Sequence, residues 1–162
     1  MTEEIIIYVI DACALIYASK IYNLSKITFK SVWDKISELF DNNELISSIE
    51  IFDEIKDEDL KNYLQKHKNN FIPLNQDIQN KTKEILKTYS TMIKITAKSV
   101  SNADVFLIAT ALKYKDLGNN VIVVTDEKSG DEGSGQYKIP NVCKGYNIPC
   151  IKLEDFINRI VK

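Results

Sequence analysis

The feature that most constrains the fold is a continuous run of β-branched and aromatic residues, 5–10, which ends abruptly at an acidic residue, Asp11. The run lacks the alternation of apolar and polar residues that a half-exposed strand shows, so it predicts a strand buried on both faces. A second continuous apolar run, 121–124, also ends at polar residues. Strands of this kind are typical of parallel sheets covered by helices on both sides. The chain is therefore expected to fold as an α/β protein.

Segments with helical periodicity lie between the predicted strands. The predicted helices cover residues 29–42, 76–93, 103–116 and 154–161, and shorter strands are predicted at 45–46 and 148–153. Ser47 and Glu50 fit an S-x-x-E capping box, which predicts a further helix start at this point. Alternating strands and helices favour a parallel sheet. Because no linker or internal repeat interrupts the pattern, we expect residues 1–162 to form a single domain.

Scarce residue types exclude several kinds of chemistry. The chain has one histidine, His67, and one arginine, Arg159, against 23 acidic residues. A single histidine excludes a three-histidine zinc site, so any catalysis is expected to rest on carboxylates. The default expectation for His67 itself is a surface position. The three cysteines lack C-x-x-C spacing, and no apolar run reaches the roughly 18 residues of a membrane span. We therefore expect a soluble, cytoplasmic protein with no membrane partner.

Acidic residues occupy the positions where parallel sheets bind ligands. Asp11 follows the first buried strand, and Asp126 and Glu127 follow the second. The carboxyl ends of parallel strands share one edge of the sheet, so these side chains are expected to be neighbours. Glu54 and Asp104 each lie within about two turns of a predicted helix start. If those helices begin at the same edge, four or five carboxylates converge on one pocket.

Converging carboxylates repel one another unless a cation lies between them. Mg²⁺ and Mn²⁺ take oxygen ligands, can activate water and can neutralise charge that develops on a phosphodiester. The pattern therefore predicts metal-dependent phosphodiester hydrolysis. Simpler roles stay open for the single residues: Asp104 as a helix cap, Glu54 as part of a solvated face, and Asp126 and Glu127 as turn residues.

Charge is distributed unevenly along the chain. Residues 1–60 contain 5 lysines and 13 acidic residues, whereas residues 61–98 contain 8 lysines and only 2 acidic residues. A basic segment on an otherwise acidic domain is a candidate surface for a phosphate backbone. Lys61, Lys66 and Lys68 are the candidate substrate-binding residues in it, although an amphipathic pair of solvated helices would show the same charges.

Four segments resemble the acid-bearing motifs of PIN domains, in the same order and with similar spacing. The segment YVIDACALI (8–16) resembles the first strand and the acidic residue that follows it, and SIEIFDEI (48–55) resembles the helix with the second acidic residue. The segment ADVFLIATA (103–111) resembles the helix with the third acidic residue, and VVTDE (123–127) resembles the end of the fourth strand. The segments 138–143 and 148–151 resemble the C-terminal part of an uncharacterised prokaryotic PIN-like family. The resemblance extends over nearly the whole chain.

This resemblance implies a three-layer α/β/α fold with a central, mostly parallel sheet. It also implies a Mg²⁺- or Mn²⁺-dependent ribonuclease, and for many prokaryotic PIN domains a toxin that a cognate antitoxin neutralises. The implied metal ligands are Asp11, Glu54, Asp104 and Glu127, with Asp126 as a substitute for Glu127 and Thr125 as the residue that orients the site or a substrate phosphate.

The sequence departs from the PIN pattern at Cys13, where the family usually has Asn or Ser. An alternative interpretation is therefore a catalytically degenerate PIN-like module that binds protein or nucleic acid. Because PIN domains often dimerise, the resemblance also implies a homodimer.

Overall fold

The computed structural model describes residues 3–90, 94–95, 100–101 and 103–162. Its strands are β1 (Ile6–Ile10), β2 (Leu45–Ser48), β3 (Phe71–Ile72), β4 (Lys94–Ile95), β5 (Val100–Ser101), β6 (Asn120–Val124) and β7 (Cys150–Ile151). Five of them form a central sheet in the order β3-β2-β1-β6-β7, and every pairing in it is parallel. β4 and β5 form a separate antiparallel pair.

Helices surround this sheet. They are α1 (Ala12–Ile21), α2 (Lys30–Asp41), α3 (Ile49–Glu54), α4 (Glu58–Gln65), α5 (Gln76–Thr88), α6 (Ala103–Asp116), α7 (Ile139–Gly145) and α8 (Leu153–Ile160). Successive side chains of a strand point to opposite faces, and residues 7–10 of β1 are all buried, so both faces are covered. The predicted three-layer α/β/α fold with a central parallel sheet is confirmed.

The most deeply buried helix, α6, holds the layers together. Seven of its first ten residues are apolar and buried, so it has no polar face over that length. A helix that is apolar all round belongs in the interior. α6 packs against α3, α5 and α7 and against strands β1, β2 and β6. Its first turn is thereby fixed at the edge of the sheet where β1 and β6 end.

Most predicted elements are confirmed, with shifted ends. The helix predicted at 103–116 has those bounds, whereas the one predicted at 76–93 ends at Thr88, and residues 91–93 lie outside the described residues. Helix α7 was not predicted, because its seven residues include Pro140 and are too few to show a helical period. Within the described ranges, each helix falls short of the length and hydrophobicity that crossing a membrane requires.

Two local predictions are wrong. The Ser47 hydroxyl makes no capping box with Glu50, because Ser47 lies inside β2 and its Oγ donates a 2.6 Å hydrogen bond to the Ile10 carbonyl. Helix α3 begins at Ile49 without a side-chain cap. His67 is not a surface residue: only 9% of it is exposed, and its ring stacks on Phe40 at a centroid distance of 4.7 Å.

Candidate active site

Asp11 is the most firmly held acidic residue at this edge of the sheet. It directly follows β1, and only 5% of its surface is exposed. Its backbone N–H donates to the Val124 carbonyl at 2.9 Å, and its Oδ1 accepts a 2.8 Å hydrogen bond from the N–H of Ala12 at the start of α1. A buried carboxylate is costly unless hydrogen bonds compensate it. Here the strand end and the helix start supply part of that compensation.

Thr125 supplies a second donor to Asp11. The Thr125 hydroxyl, in a residue that is 2% exposed, donates a 2.8 Å hydrogen bond to Asp11 Oδ2. Thr125 Oγ1 also accepts a 3.1 Å hydrogen bond from the backbone N–H of Glu127. One hydroxyl therefore links the acidic residue after β1 to the backbone of the acidic residue that follows β6.

Cys13 supplies a third donor. Its Sγ donates to Asp11 Oδ2 at 2.9 Å and lies 3.2 Å from Thr125 Oγ1. Burial, followed by the negative charge of Asp11 and the hydrogen bond to it, raises the pKa of Cys13 to about 12. The thiol therefore keeps its proton at neutral pH. Cys13 thus acts as a hydrogen-bond donor to the Asp11 carboxylate.

The five predicted acidic residues meet in one cavity of about 360 Å³. Its lining consists of Asp11, Ala12, Cys13, Glu54, Asp104, Asp126 and Glu127. Asp104 reaches it from the first turn of α6, and Glu54 from the last residue of α3, which packs on α6. Among the described residues, no basic side chain lines this cavity.

The two acidic residues after β6 are held differently. Asp126 Oδ1 accepts a 2.9 Å hydrogen bond from the N–H of Leu153, the first residue of α8. Asp126 thus caps that helix, where a carboxylate is favoured by the exposed N–H groups. Glu127 Oε2 accepts a longer hydrogen bond, 3.4 Å, from the N–H of Ile139 at the start of α7. The backbone hydrogen bond to the Glu127 carboxylate is thus longer than the one to Asp126.

Asn141 fastens the loop that follows Glu127. Its Oδ1 accepts hydrogen bonds from the N–H groups of Gly130 at 2.6 Å and Lys138 at 3.1 Å. Its Nδ2 donates to the Gly130 carbonyl and to Glu132, both at 3.2 Å. Asn141 is buried, so these four bonds replace contacts with water. The loop is thereby tied to α7, and no motif in the sequence indicated this role.

The donor set of the carboxylate cavity fits a hard divalent cation, because its donors are carboxylate oxygens with a hydroxyl behind them. Within the ranges that the structure describes, however, no three His, Cys, Asp or Glu side chains form a ready-made metal site. An ion bound here would therefore require some of these side chains to move closer together.

Lys61, Lys66 and Lys68, the predicted substrate-binding residues, do not line this cavity. Lys61 Nζ lies 3.9 Å from the centroid of the Phe52 ring and donates a hydrogen bond to the Phe52 carbonyl. Lys68 Nζ lies 5.3 Å from the same centroid. These two lysines therefore lie against Phe52 of α3 and outside the cavity lining.

Two other lysines lie beside the carboxylate cavity. Lys20 and Lys152 line a neighbouring cavity that shares Cys13 and Asp126 with the carboxylate cavity. The sequence positions of both lysines could have indicated that they lie near the acidic residues. Lys20 lies two turns after Cys13 on one face of α1, and Lys152 directly follows β7, at the same edge of the sheet as Asp11.

Fold and site together define an α/β/α protein with a carboxylate cavity at the carboxyl edge of its parallel sheet. The chain belongs to the family described as "Domain of unknown function (DUF4411)", whose model matches residues 8–161. No curated protein matches the chain. Among solved structures, it is similar to the crystal structure of FitAcB from Neisseria gonorrhoeae. That match has a TM-score of 0.43 and 12% sequence identity, and it covers 91% of this chain and 99% of the other.

Proposed function

We propose that the protein is a PIN-like, Mg²⁺- or Mn²⁺-dependent endoribonuclease that hydrolyses phosphodiester bonds of RNA. The observation that carries this proposal is the cavity where five acidic residues meet at the carboxyl edge of the sheet. Ligands bind at this edge in open parallel sheets. Clustered carboxylates repel one another, and a hard divalent cation with oxygen ligands offsets that repulsion.

The residues divide into ligands and supports. Asp11, Glu54, Asp104 and Glu127 would hold the ion, with Asp126 as the substitute that otherwise caps α8. A bound ion at this place supplies the acidity that activates a water molecule and offsets the charge developing on the phosphodiester. Thr125 and Cys13 keep the Asp11 carboxylate in one orientation, because both donate to its Oδ2. Thr125 also holds the backbone of Glu127 in place.

The biological role that we propose follows from the PIN-like resemblance. Residues 1–162 would act as one domain in the cytoplasm, as the toxin component of a toxin–antitoxin pair, and as a homodimer. Induced expression should then slow growth in a bacterial host, and the Asp11→Asn variant should not. Equal growth inhibition by both forms would contradict a toxin that acts through this site.

Cleavage of a single-stranded RNA with and without Mn²⁺ tests the enzymatic proposal. Asp11→Asn and Asp104→Asn each remove one charged ligand, so we expect the cleavage rate to fall by at least about 100-fold. Asp53→Asn is the matched control, since Asp53 is an exposed acidic residue on the same helix as Glu54 and does not line the cavity. Unchanged cleavage in both ligand variants would refute this site.

A second candidate function is a catalytically degenerate PIN-like module that binds protein or nucleic acid. The observation that favours it is the lack of a ready-made three-donor group among the described residues. Titration of the protein with Mn²⁺ in a calorimeter separates the two functions. Saturable binding that Asp11→Asn removes supports the enzyme, whereas no binding to the wild-type protein supports the module.

The proposal also includes a basic surface that guides RNA toward the cavity, formed by Lys61, Lys66 and Lys68. Such long-range attraction depends on salt, since it arises from released counterions. Reversing the three charges to glutamate should weaken RNA binding and flatten its dependence on salt concentration. If affinity and salt dependence both stay unchanged, these lysines have no part in binding.

A further inference from the structure

A second cavity, of about 630 Å³, opens directly beside the carboxylate cavity. Cys13 and Asp126 line both of them. Its other walls come from α1, from the residue that joins β7 to α8 and from the first turn of α8, namely Ile16, Tyr17, Lys20, Lys152 and Glu154. The volume lies within the range of about 300 to 1,000 Å³ that small-molecule sites occupy.

One face of α1 forms a wall of this cavity. Cys13, Ile16, Tyr17 and Lys20 follow the spacing i, i+3, i+4, i+7, which puts their side chains in one stripe along the helix. The stripe runs from the thiol that touches Asp11, past an aromatic ring, to a positive charge. Tyr17 is 50% exposed, although large aromatic side chains are usually well buried. An exposed ring beside an active-site cavity is available for stacking.

Two positive charges lie near that ring. Lys20 and Lys152 are both exposed, and neither forms an ion pair with any residue that the structure describes. Other lysines, such as Lys30 and Lys81, pair with acidic residues on their own or neighbouring helices. The two lysines at this cavity therefore keep their full charge available for an anion.

We propose that this cavity is the subsite for the nucleotide next to the bond that is cut, on a single-stranded RNA. Tyr17 stacks on the base, and Lys20 and Lys152 hold the adjacent phosphate. This inference rests on the proposed function, since it places the substrate of the same site. Stacking on an exposed aromatic ring with basic residues beside it is the general way in which proteins bind single strands.

Charge explains why the substrate needs such a subsite. The carboxylate cavity repels a phosphate until a cation is present, so the protein must bind the RNA at a surface outside this cavity. Cys13 and Asp126 form the shared wall, so a strand held on Lys20 and Lys152 lies next to the proposed ligands. Asp126 and Glu154 add carboxylates to the lining, which can accept hydrogen bonds from ribose hydroxyls or base N–H groups. The subsite thus has equal numbers of acidic and basic residues and does not attract polyanions indiscriminately.

The test measures binding of a fluorescently labelled single-stranded RNA of about ten nucleotides to the full chain, in the Asp104→Asn background to prevent cleavage. Tyr17→Ala should weaken binding by about 5- to 150-fold, and Tyr17→Phe should restore it, because stacking needs only the ring. Lys20→Gln combined with Lys152→Gln should weaken binding at low salt and lower the salt slope by about 1.4. Lys30→Gln combined with Lys35→Gln is the control, since both lysines lie on α2.

The outcomes separate this inference from the proposed function. If the Tyr17 and lysine variants bind RNA and, with Asp104 restored, cleave it like the wild type, while Asp11→Asn abolishes cleavage, the subsite is refuted and the nuclease stands. Binding that the control pair weakens as much as the Lys20 and Lys152 pair also refutes the subsite. If the protein binds RNA and DNA of the same sequence with equal affinity, the ribose hydroxyls do not contribute to binding. If the wild type neither binds nor cuts RNA, both proposals fail, and the Tyr17 face is then open to a protein partner.

Discussion

The hydroxyl of Thr125 donates a 2.8 Å hydrogen bond to the carboxylate of Asp11, across two neighbouring strands of the sheet and 114 positions apart in the chain. The pairing of β1 with β6 makes this contact, because Ile10 and Val124 are partners in register and each is followed by one of the two residues. Cys13 donates to the same carboxylate oxygen. Asp11 is therefore oriented by its neighbours before any ligand arrives.

The first prediction concerns this orientation. Thr125→Val removes the hydroxyl and keeps the shape, so Asp11 loses one donor and the Glu127 N–H loses its acceptor. Residues that support a metal ligand typically contribute 10- to 100-fold to metal affinity, and we expect a loss of about that size in Mn²⁺ binding. Calorimetric titration measures it. Thr125→Ser keeps the hydroxyl and is the matched control; a loss in both variants would mean that packing, and not the hydrogen bond, is responsible.

The second prediction concerns the loop that Asn141 fastens. Asn141→Ala leaves the partly buried N–H groups of Gly130 and Lys138 without their acceptor, which costs up to about 1–3 kcal/mol each where water cannot replace it. We expect a lower urea midpoint and faster proteolytic cleavage between residues 128 and 138. Asn62→Ala, at an exposed position of α4, should change neither. Cleavage elsewhere in the chain, with this loop protected, would show that Asn141 does not hold the loop.

The third prediction ranks two neighbouring thiols. A hydrogen bond from Cys143 lowers the pKa of Cys150 below 9.0, although burial and the charges of Asp11 and Glu127 oppose this. The same hydrogen bond, together with burial, raises the pKa of Cys143. The thiolate is the reactive form. Brief treatment with iodoacetamide at mildly alkaline pH should therefore modify Cys150 well before Cys143, as peptide mass spectrometry can show. Earlier modification of Cys143 would contradict the direction of this hydrogen bond.

Much of the fold and of the carboxylate cavity could be predicted because the signals are local. The apolar runs before Asp11 and Thr125 define two buried strands, and parallel strands put the residues that follow them at one edge. The helix at 103–116 was predictable to the residue, since its apolar content is high and Gly118 ends it with a φ of +95°. The position of Asp104 in the first turn of this helix could be predicted for the same reason.

The rest depends on contacts between distant segments. Nothing near His67 in the sequence shows that Phe40 stacks on it, and nothing near Asn141 shows that Gly130 is its partner. Lys20 and Lys152 lie 132 positions apart and meet only because α1 follows β1 and α8 follows β7, both starting from the same edge of the sheet. The charge count along the chain pointed to residues 61–98 and could not indicate Lys20 and Lys152, because these two lysines come together only in space.

The final prediction uses the single histidine as a probe of stability. Burial lowers the pKa of His67 below 6.5, and Lys66 lowers it further, while Asp41 acts in the opposite direction. In the unfolded chain the imidazole takes up a proton near pH 6.5, but in the folded protein it does so only at lower pH. The unfolded state therefore binds more protons between these two values, and the free energy of unfolding must fall as the pH falls through this interval. Above it, His67 is neutral in both states and adds no pH dependence.

His67→Phe removes the titration and keeps a ring that can stack on Phe40. Urea unfolding of both proteins from about pH 8 to about pH 5 isolates the contribution of His67, because the carboxylates that also titrate at the acidic end are common to both. The wild type should lose stability relative to the variant as the pH falls below about 6.5. The difference should be constant at higher pH. A difference that stays flat over the whole range would mean that the folded protein protonates His67 as easily as the unfolded chain does, and that the ring is not sequestered against Phe40.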